Sequence, residues 1–89
     1  MQESKLIKRV DPVYPQIARI ARVSGTVILQ VIVDEEGDVS EVRVLQGNPL
    51  LTDEAVRAVR QWKYSPTLLN GEPIPVTATV TVNFTLTHQ

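Results

Sequence analysis

Over residues 76–87 apolar and polar side chains alternate without a slip: Val76, Ala78, Val80, Val82, Phe84 and Leu86 against Thr77, Thr79, Thr81, Asn83, Thr85 and Thr87. A period of two predicts a strand with one dry and one wet face. At about 3.4 Å per residue this stretch extends roughly 40 Å, about twice the usual strand. Residues 26–34 differ, because Val27, Leu29, Val31 and Val33 share one face while Ile28 and Ile32 occupy the other. A strand apolar on both sides belongs at the centre of a sheet. Residues 39–46 read as its hairpin partner, with Val42 and Val44 on one side and Glu41, Arg43 and Leu45 on the other. The run Asp34-Glu35-Glu36-Gly37-Asp38 between them has the composition of a solvated turn.

Two helices fill the gaps. Pro12 and Pro15 hold residues 11–15 extended, and proline suits the first position of a helix. Over 16–23 Ile17, Ile20 and Ala21, with Ala18 beside them, supply a short apolar face, Arg19 and Arg22 look outward, and Ser24-Gly25 stops the helix. Gly47-Asn48-Pro49 opens a second helix of about four turns, with Asp53 and Glu54 in its first turn and Arg57, Arg60 and Lys63 toward its end, as the helix dipole prefers. Its buried stripe is Leu51, Ala55, Ala58, Val59 and Trp62; Pro66 ends it, and Asn70-Gly71-Glu72-Pro73 makes a turn. Residues 1–10 read as an irregular lead-in and 11–89 as a single domain.

The order helix, strand, strand, helix, strand predicts an α+β fold, αββαβ, with two helices packed on one face of a three-stranded antiparallel sheet. With the 26–34 strand central, the 76–87 strand becomes an edge. Pro73 and Pro75 just before it agree, since proline is tolerated at edges and strand starts.

Composition narrows the functions such a fold can serve. Eighty-nine residues, 43% hydrophobic and 21% charged, suffice for one core, and with only Tyr14, Trp62, Tyr64 and Phe84 as aromatics that core is aliphatic. A net charge of −1 gives no global attraction to nucleic acid. The chain has no cysteine, which removes disulfides, thiolate metal sites and cysteine nucleophiles. It contains neither a run of 18 apolar residues nor a secretory signal after Met1, so a protein outside the cytoplasm is expected to carry further residues upstream.

Little in the sequence offers catalysis. His88 is the single histidine and stands near the end of the chain, and the glycines are scattered, forming no phosphate loop. The acidic turn lacks the downstream glutamate of a calcium loop. The expectation is a protein that is not an enzyme and needs no metal or cofactor. Arg19 and Arg22 with Arg57, Arg60 and Lys63 form at most a basic stripe, which could meet anionic headgroups, nucleic acid or an acidic peptide; a solubilising surface is its plainest use and RNA binding the weakest reading. The last strand is the strongest feature. An edge displays unpaired amide and carbonyl groups and is normally blunted by charge, yet residues 76–87 carry none. Strand addition by a partner peptide is one reading; the alternatives are a strand that is merely long, or one covered by a second copy of the chain in a homodimer. Pro12-x-Tyr14-Pro15 could serve as an extended platform beside that edge, or Tyr14 could simply pack on the core.

These residues carry a family pattern: Pro12-x-Tyr14-Pro15, Ala18, Gly25-Thr26-Val27, Val33-Asp34, Gly37 with Val39, Leu51-x-Asp53-Glu54-Ala55, Ala58-Val59 and Trp62-Lys63-Tyr64-x-Pro66. The pattern resembles the TonB C-terminal domain and covers the chain from about Val10 to Leu86. That resemblance implies a periplasmic domain of an energy transducer, anchored in the inner membrane by an upstream segment and coupled to an ExbB/ExbD-type complex. It further implies a partner, the TonB box of an outer-membrane transporter, lying along Val76, Thr77, Ala78, Thr79, Val80, Thr81, Val82, Asn83 and Phe84 and near Val10, Asp11, Pro12 and Tyr14. Asp11 stands where well-known members carry glutamine. A TonB-like module that pairs through the same edge with another periplasmic partner is the alternative.

Overall fold

The computed structural model describes residues 5–86. Its main sheet has the order β3-β2-β7, with β2 (Gly25–Val33) between β3 (Val39–Gln46) and β7 (Val76–Phe84). The two-sided apolarity of β2 has its expected cause. Val27, Leu29, Val31 and Val33 are at most 1% exposed beneath the helices, and Ile28 and Ile32 on the open face are half-covered. Nine unbroken pairs, Gly25↔Phe84 to Val33↔Val76, join β2 to β7. This register sets Val82 opposite Val27 and Val80 opposite Leu29, so the dry face of β7 closes the same core. Against β3 the register shifts twice, between Ile28 and Leu29 and between Ile32 and Val33.

Helix α2 (Pro49–Val59) begins where expected. The Asn48 side chain accepts from the Leu50 N–H at 2.9 Å, and Pro49 takes a position that needs no donor. Leu51, Ala55, Ala58 and Val59 are buried as the spacing predicts. The helix is shorter than its pattern, however. It ends at Val59, and Gln61 and Trp62 close it by bonding the carbonyls three residues back, of Ala58 and Val59. Trp62 is still buried, at 6% exposure, but from a turn beyond the helix. Two tertiary contacts override the helical period here: the Trp62 indole Nε1–H donates to the Val10 carbonyl at 2.8 Å, and Lys63–Tyr64 are drawn out as strand β4. Counted from Pro49, Asp53 and Glu54 are its fifth and sixth residues and lie beyond the first turn, where they were expected.

Helix α1 (Gln16–Ile20) corrects the sequence reading more strongly. Ala18 alone is buried, while Ile17 and Ile20 are 61% and 76% exposed and Ala21 is exposed. The Tyr14 ring packs edge-on against Phe84, and its hydroxyl donates to the Val23 carbonyl. The chain is thus pinned on both sides of this short helix, with its small residue inward.

Two short strands and a hairpin were not expected. Residues 6–8 of the presumed irregular lead-in form β1 (Leu6–Lys8), antiparallel to β4 (Lys63–Tyr64). Ser65 N–H donates to the Lys5 carbonyl at 2.7 Å and Lys5 N–H to Ser65 Oγ at 2.9 Å, extending that pairing. Asn70-Gly71, with φ of +53° and +80°, is a two-residue turn between β5 (Thr67–Leu69) and β6 (Glu72–Ile74), so Glu72 and Pro73 belong to a strand. The acidic loop between β2 and β3 is the expected turn: the Asp34 Oδ1 accepts from the Glu36 and Asp38 amides at 3.0 and 2.9 Å. Lys63 Nζ reaches into it, 2.8 Å from Asp38 Oδ1 and from the Glu36 carbonyl. Gly37, at φ +88°, lies so close to β4 that a Cβ there would fall 1.9 Å from the Tyr64 carbonyl oxygen.

Candidate peptide-binding edge

Among the described residues β7 has one strand neighbour, β2, so its other side is a sheet edge. In an antiparallel ladder alternate residues turn N–H and C=O to opposite sides, leaving about half of those of β7 directed outward. Val80, Val82 and Phe84 are buried at 6%, 1% and 3%; Val76 and Ala78 are half-buried, and Thr77, Thr79, Thr81 and Asn83 are exposed. The strand is shorter than the alternation suggests: Thr85 and Leu86 leave it, and Thr87 and His88 lie outside the described residues.

The opposite border makes an informative contrast. Strand β3 is also an edge, but it carries Glu41 and Arg43 and two register shifts, devices that discourage further pairing. β7 carries neither charge nor bulge. Of the two borders of one sheet, only β7 is straight and uncharged.

The second part of the expected site reaches β7 at one place. Tyr14 meets Phe84 with ring centroids 5.5 Å apart at 89°, and burying its hydroxyl on the Val23 carbonyl satisfies the polar end of the ring. Val10 and Tyr14 pack on the same core as Val76 and Ala78. Pro12 is half-buried. Asp11 stands apart, its side chain 86% exposed and 3.4 Å from Arg9. Sequence reasoning had missed the anchor beneath this segment: Trp62 binds the Val10 carbonyl and holds the Arg9 guanidinium 5.4 Å from its ring centroid. The signal available was the single indole N–H, which needs an acceptor wherever it is buried.

Elsewhere the chemistry is sparse. Two of the five cations of the expected basic stripe have carboxylate partners, Arg57 with Glu54 at 3.4 Å and Lys63 with Asp38 at 2.8 Å. Burial pushes the Tyr64 phenol above its ordinary value. Among the described residues no group of three His, Cys, Asp or Glu side chains is arranged to hold a metal ion, and no helix is long and apolar enough to cross a membrane. A depression of about 160 Å³ on the open face of the sheet is lined by Gln30, Ile32, Glu41 and Arg43.

Comparison with known proteins matches this arrangement. Residues 10–86 fit the family model described as Gram-negative bacterial TonB protein C-terminal. Protein TonB of Vibrio cholerae is 34% identical over 80 residues, which make up 88% of this chain and 33% of that protein. Protein TonB of Xanthomonas campestris is 40% identical over 77 residues, 84% of this chain and 34% of its own length. The chain thus spans about a third of these relatives. The solution NMR structure of the Pseudomonas aeruginosa TonB CTD has the same fold, with a TM-score of 0.80 at 22% identity over 100% of this chain and 92% of that one. This chain is therefore a member of the family of Gram-negative bacterial TonB protein C-terminal domains.

Proposed function

We propose that the free edge of β7, from Val76 to Phe84, with the neighbouring residues Val10, Asp11, Pro12 and Tyr14, receives an extended peptide by strand addition. The partner is the TonB box of an outer-membrane transporter. The observation that carries this reading is the contrast between the two borders of the sheet, one charged and bulged, the other straight and neutral. Main-chain bonds supply the affinity in such a complex and side chains on alternate positions supply the selectivity. The outward N–H and C=O groups of four or five residues of this nine-residue strand offer about eight to ten hydrogen bonds, each worth roughly 0.5–1.5 kcal/mol net. Set against the cost of association, this gives weak, reversible binding unless side-chain contacts add to it.

On this reading the chain is the periplasmic, non-enzymatic end of an energy transducer. An upstream segment anchors that transducer in the inner membrane and couples it to an ExbB/ExbD-type complex. Strand pairing suits such a role because a pull along the strand loads all its hydrogen bonds together. Titrating a TonB-box peptide into the labelled protein while recording amide shifts tests the site. Shifts are expected along Val76–Phe84 and at Tyr14, and a bound state that leaves β7 unshifted rejects it. The same free edge also suits pairing with a second copy of the chain. Sedimentation across concentration separates the two, since a monomer at high concentration removes the dimer.

A further inference from the structure

Helix α1 ends in a way that favours glycine, yet it carries arginine. Arg22 has φ of +55°, its N–H donates to the Arg19 carbonyl at 3.1 Å, and the Val23 N–H donates to the Ala18 carbonyl at 2.8 Å. These are the two bonds of a Schellman closure, with Val23 packed on the core beside Ala18. The residue in the left-handed position of such a closure is usually glycine, because a Cβ there is strained. Strain kept without a local reason points to a use for the side chain.

What stands next to Arg22 suggests the use. Val13, Ile17 and Ile20 are 69%, 61% and 76% exposed, and Ile17 and Ile20, three apart, share one face of the helix. Arg19 and Arg22 are exposed and make no ion pair among the described residues. The patch lies at the Phe84 end of β7, because Tyr14, two residues before the helix, packs on Phe84. A strand added to β7 that continues past Phe84 therefore approaches aliphatic surface flanked by two unpaired cations.

We infer that the exposed surface around α1, with Ile17 and Ile20 on the helix, Val13 just before it and Arg19 and Arg22 toward its end, receives the flank of the same partner peptide, and that this flank is acidic and carries aliphatic residues. The inference rests on the reading of β7 as the strand-addition edge. Charge complementarity and continuity with that edge favour a peptide. Three aliphatic side chains and two cations are a small footing for an anionic bilayer, which is held by longer apolar faces or larger cation clusters.

Calorimetric titration of the 89-residue chain with three synthetic peptides tests it. The first is an uncharged strand of alternating valine and threonine, and the other two extend it, at one end or the other, by a short Glu/Leu segment. One of the extended peptides is expected to bind about five- to tenfold more tightly than the plain strand. Arg22→Gly is expected to lose that gain, bind the plain strand as before and melt no lower than the parent, since glycine relieves the strained position. Retention of the gain by Arg22→Gly, or no gain from either extension, overturns the inference while leaving the β7 site standing. Failure of the plain strand to bind refutes the β7 reading and takes this inference with it. Arg22-dependent sedimentation with vesicles rich in phosphatidylglycerol, without any peptide gain, reassigns the patch to lipid and overturns it as well.

Discussion

Gly37 and Gly71 form a matched pair for separating backbone conformation from contact. Both have positive φ, +88° and +80°. A Cβ at Gly71 meets nothing within 4 Å, whereas at Gly37 it falls 1.9 Å from the Tyr64 carbonyl oxygen. Alanine at either site incurs the left-handed penalty of about 1–2 kcal/mol. It also recovers about 0.4–1 kcal/mol by restricting the unfolded chain. Gly71→Ala should therefore cost about 0–1.6 kcal/mol. Gly37→Ala must in addition push β4 away from the turn, and the atom in its way is backbone, which cannot rotate aside. The displaced groups are the Tyr64 N–H, bonded to the Gly37 carbonyl at 2.9 Å, and Lys63 Nζ, bonded to Asp38 and to the Glu36 carbonyl. Losing the buried backbone bond and straining the exposed pair adds about 2 kcal/mol, for a total near 3 kcal/mol. In a domain of this size that lowers the melting temperature by roughly 12–24 °C. Trp62, the single tryptophan and a buried one, reports unfolding by its fluorescence in urea. Equal destabilisation of the two variants, within about 0.5 kcal/mol, would refute the claim that close approach to β4 is what demands glycine at position 37.

Proline placed singly at Ala78, Thr79, Val80 and Thr81 should act with a period of two. Where the N–H faces β2 the lost ladder bond and its unsatisfied partner cost the domain about 1–3 kcal/mol, and where it faces outward the fold survives but strand addition is blocked; melting curves and peptide titrations that show no alternation would contradict the edge assignment. Tyr64 gives a test in alkali. Burial raises its folded pKa above the ordinary phenol value of 10.0, so the unfolded chain loses the proton first, and stability is intact below that value and falls as pH rises past it. Tyr64→Phe should remove this part of the alkaline decline in urea midpoints, and an unchanged profile would show that the ring is not the source.

Much of this fold is legible in period and punctuation, because its large elements bury regular faces. The strict alternation of Val76 to Phe84 and the two-sided apolarity of β2 fix the strand order, since each pattern has one stable place in a sheet. The errors fall where a short segment is governed by a distant partner. Trp62 fits the stripe of α2, but its indole satisfies Val10, 52 residues away, and the helix stops early to let it. Leu6 and Ile7 have no periodicity of their own and become a strand only because Tyr64 is there to pair with. The exposed isoleucines of α1 mislead in the opposite direction: one turn of helix has too few residues to declare its face, and Tyr14 and Ala18 choose it instead. Asn70-Gly71 was readable as a two-residue hairpin turn, and the wider four-residue turn hid the strands on either side. At the candidate site the edge itself was visible in the sequence. The clamp of Trp62 and Arg9 under the neighbouring segment was not, because it depends on contacts across more than fifty residues of chain.

The unbroken ladder between β2 and β7 has a further consequence for any guest strand. With no bulge to mark a position, a frame displaced by two residues, about 6.8 Å, offers the newcomer nearly the same backbone groups and the same succession of valine and threonine neighbours. Sliding between such frames costs little, so the border by itself behaves as a rail without stops. A single seating then has to be imposed from beyond the rail, by whatever the guest touches as it runs off the Phe84 end.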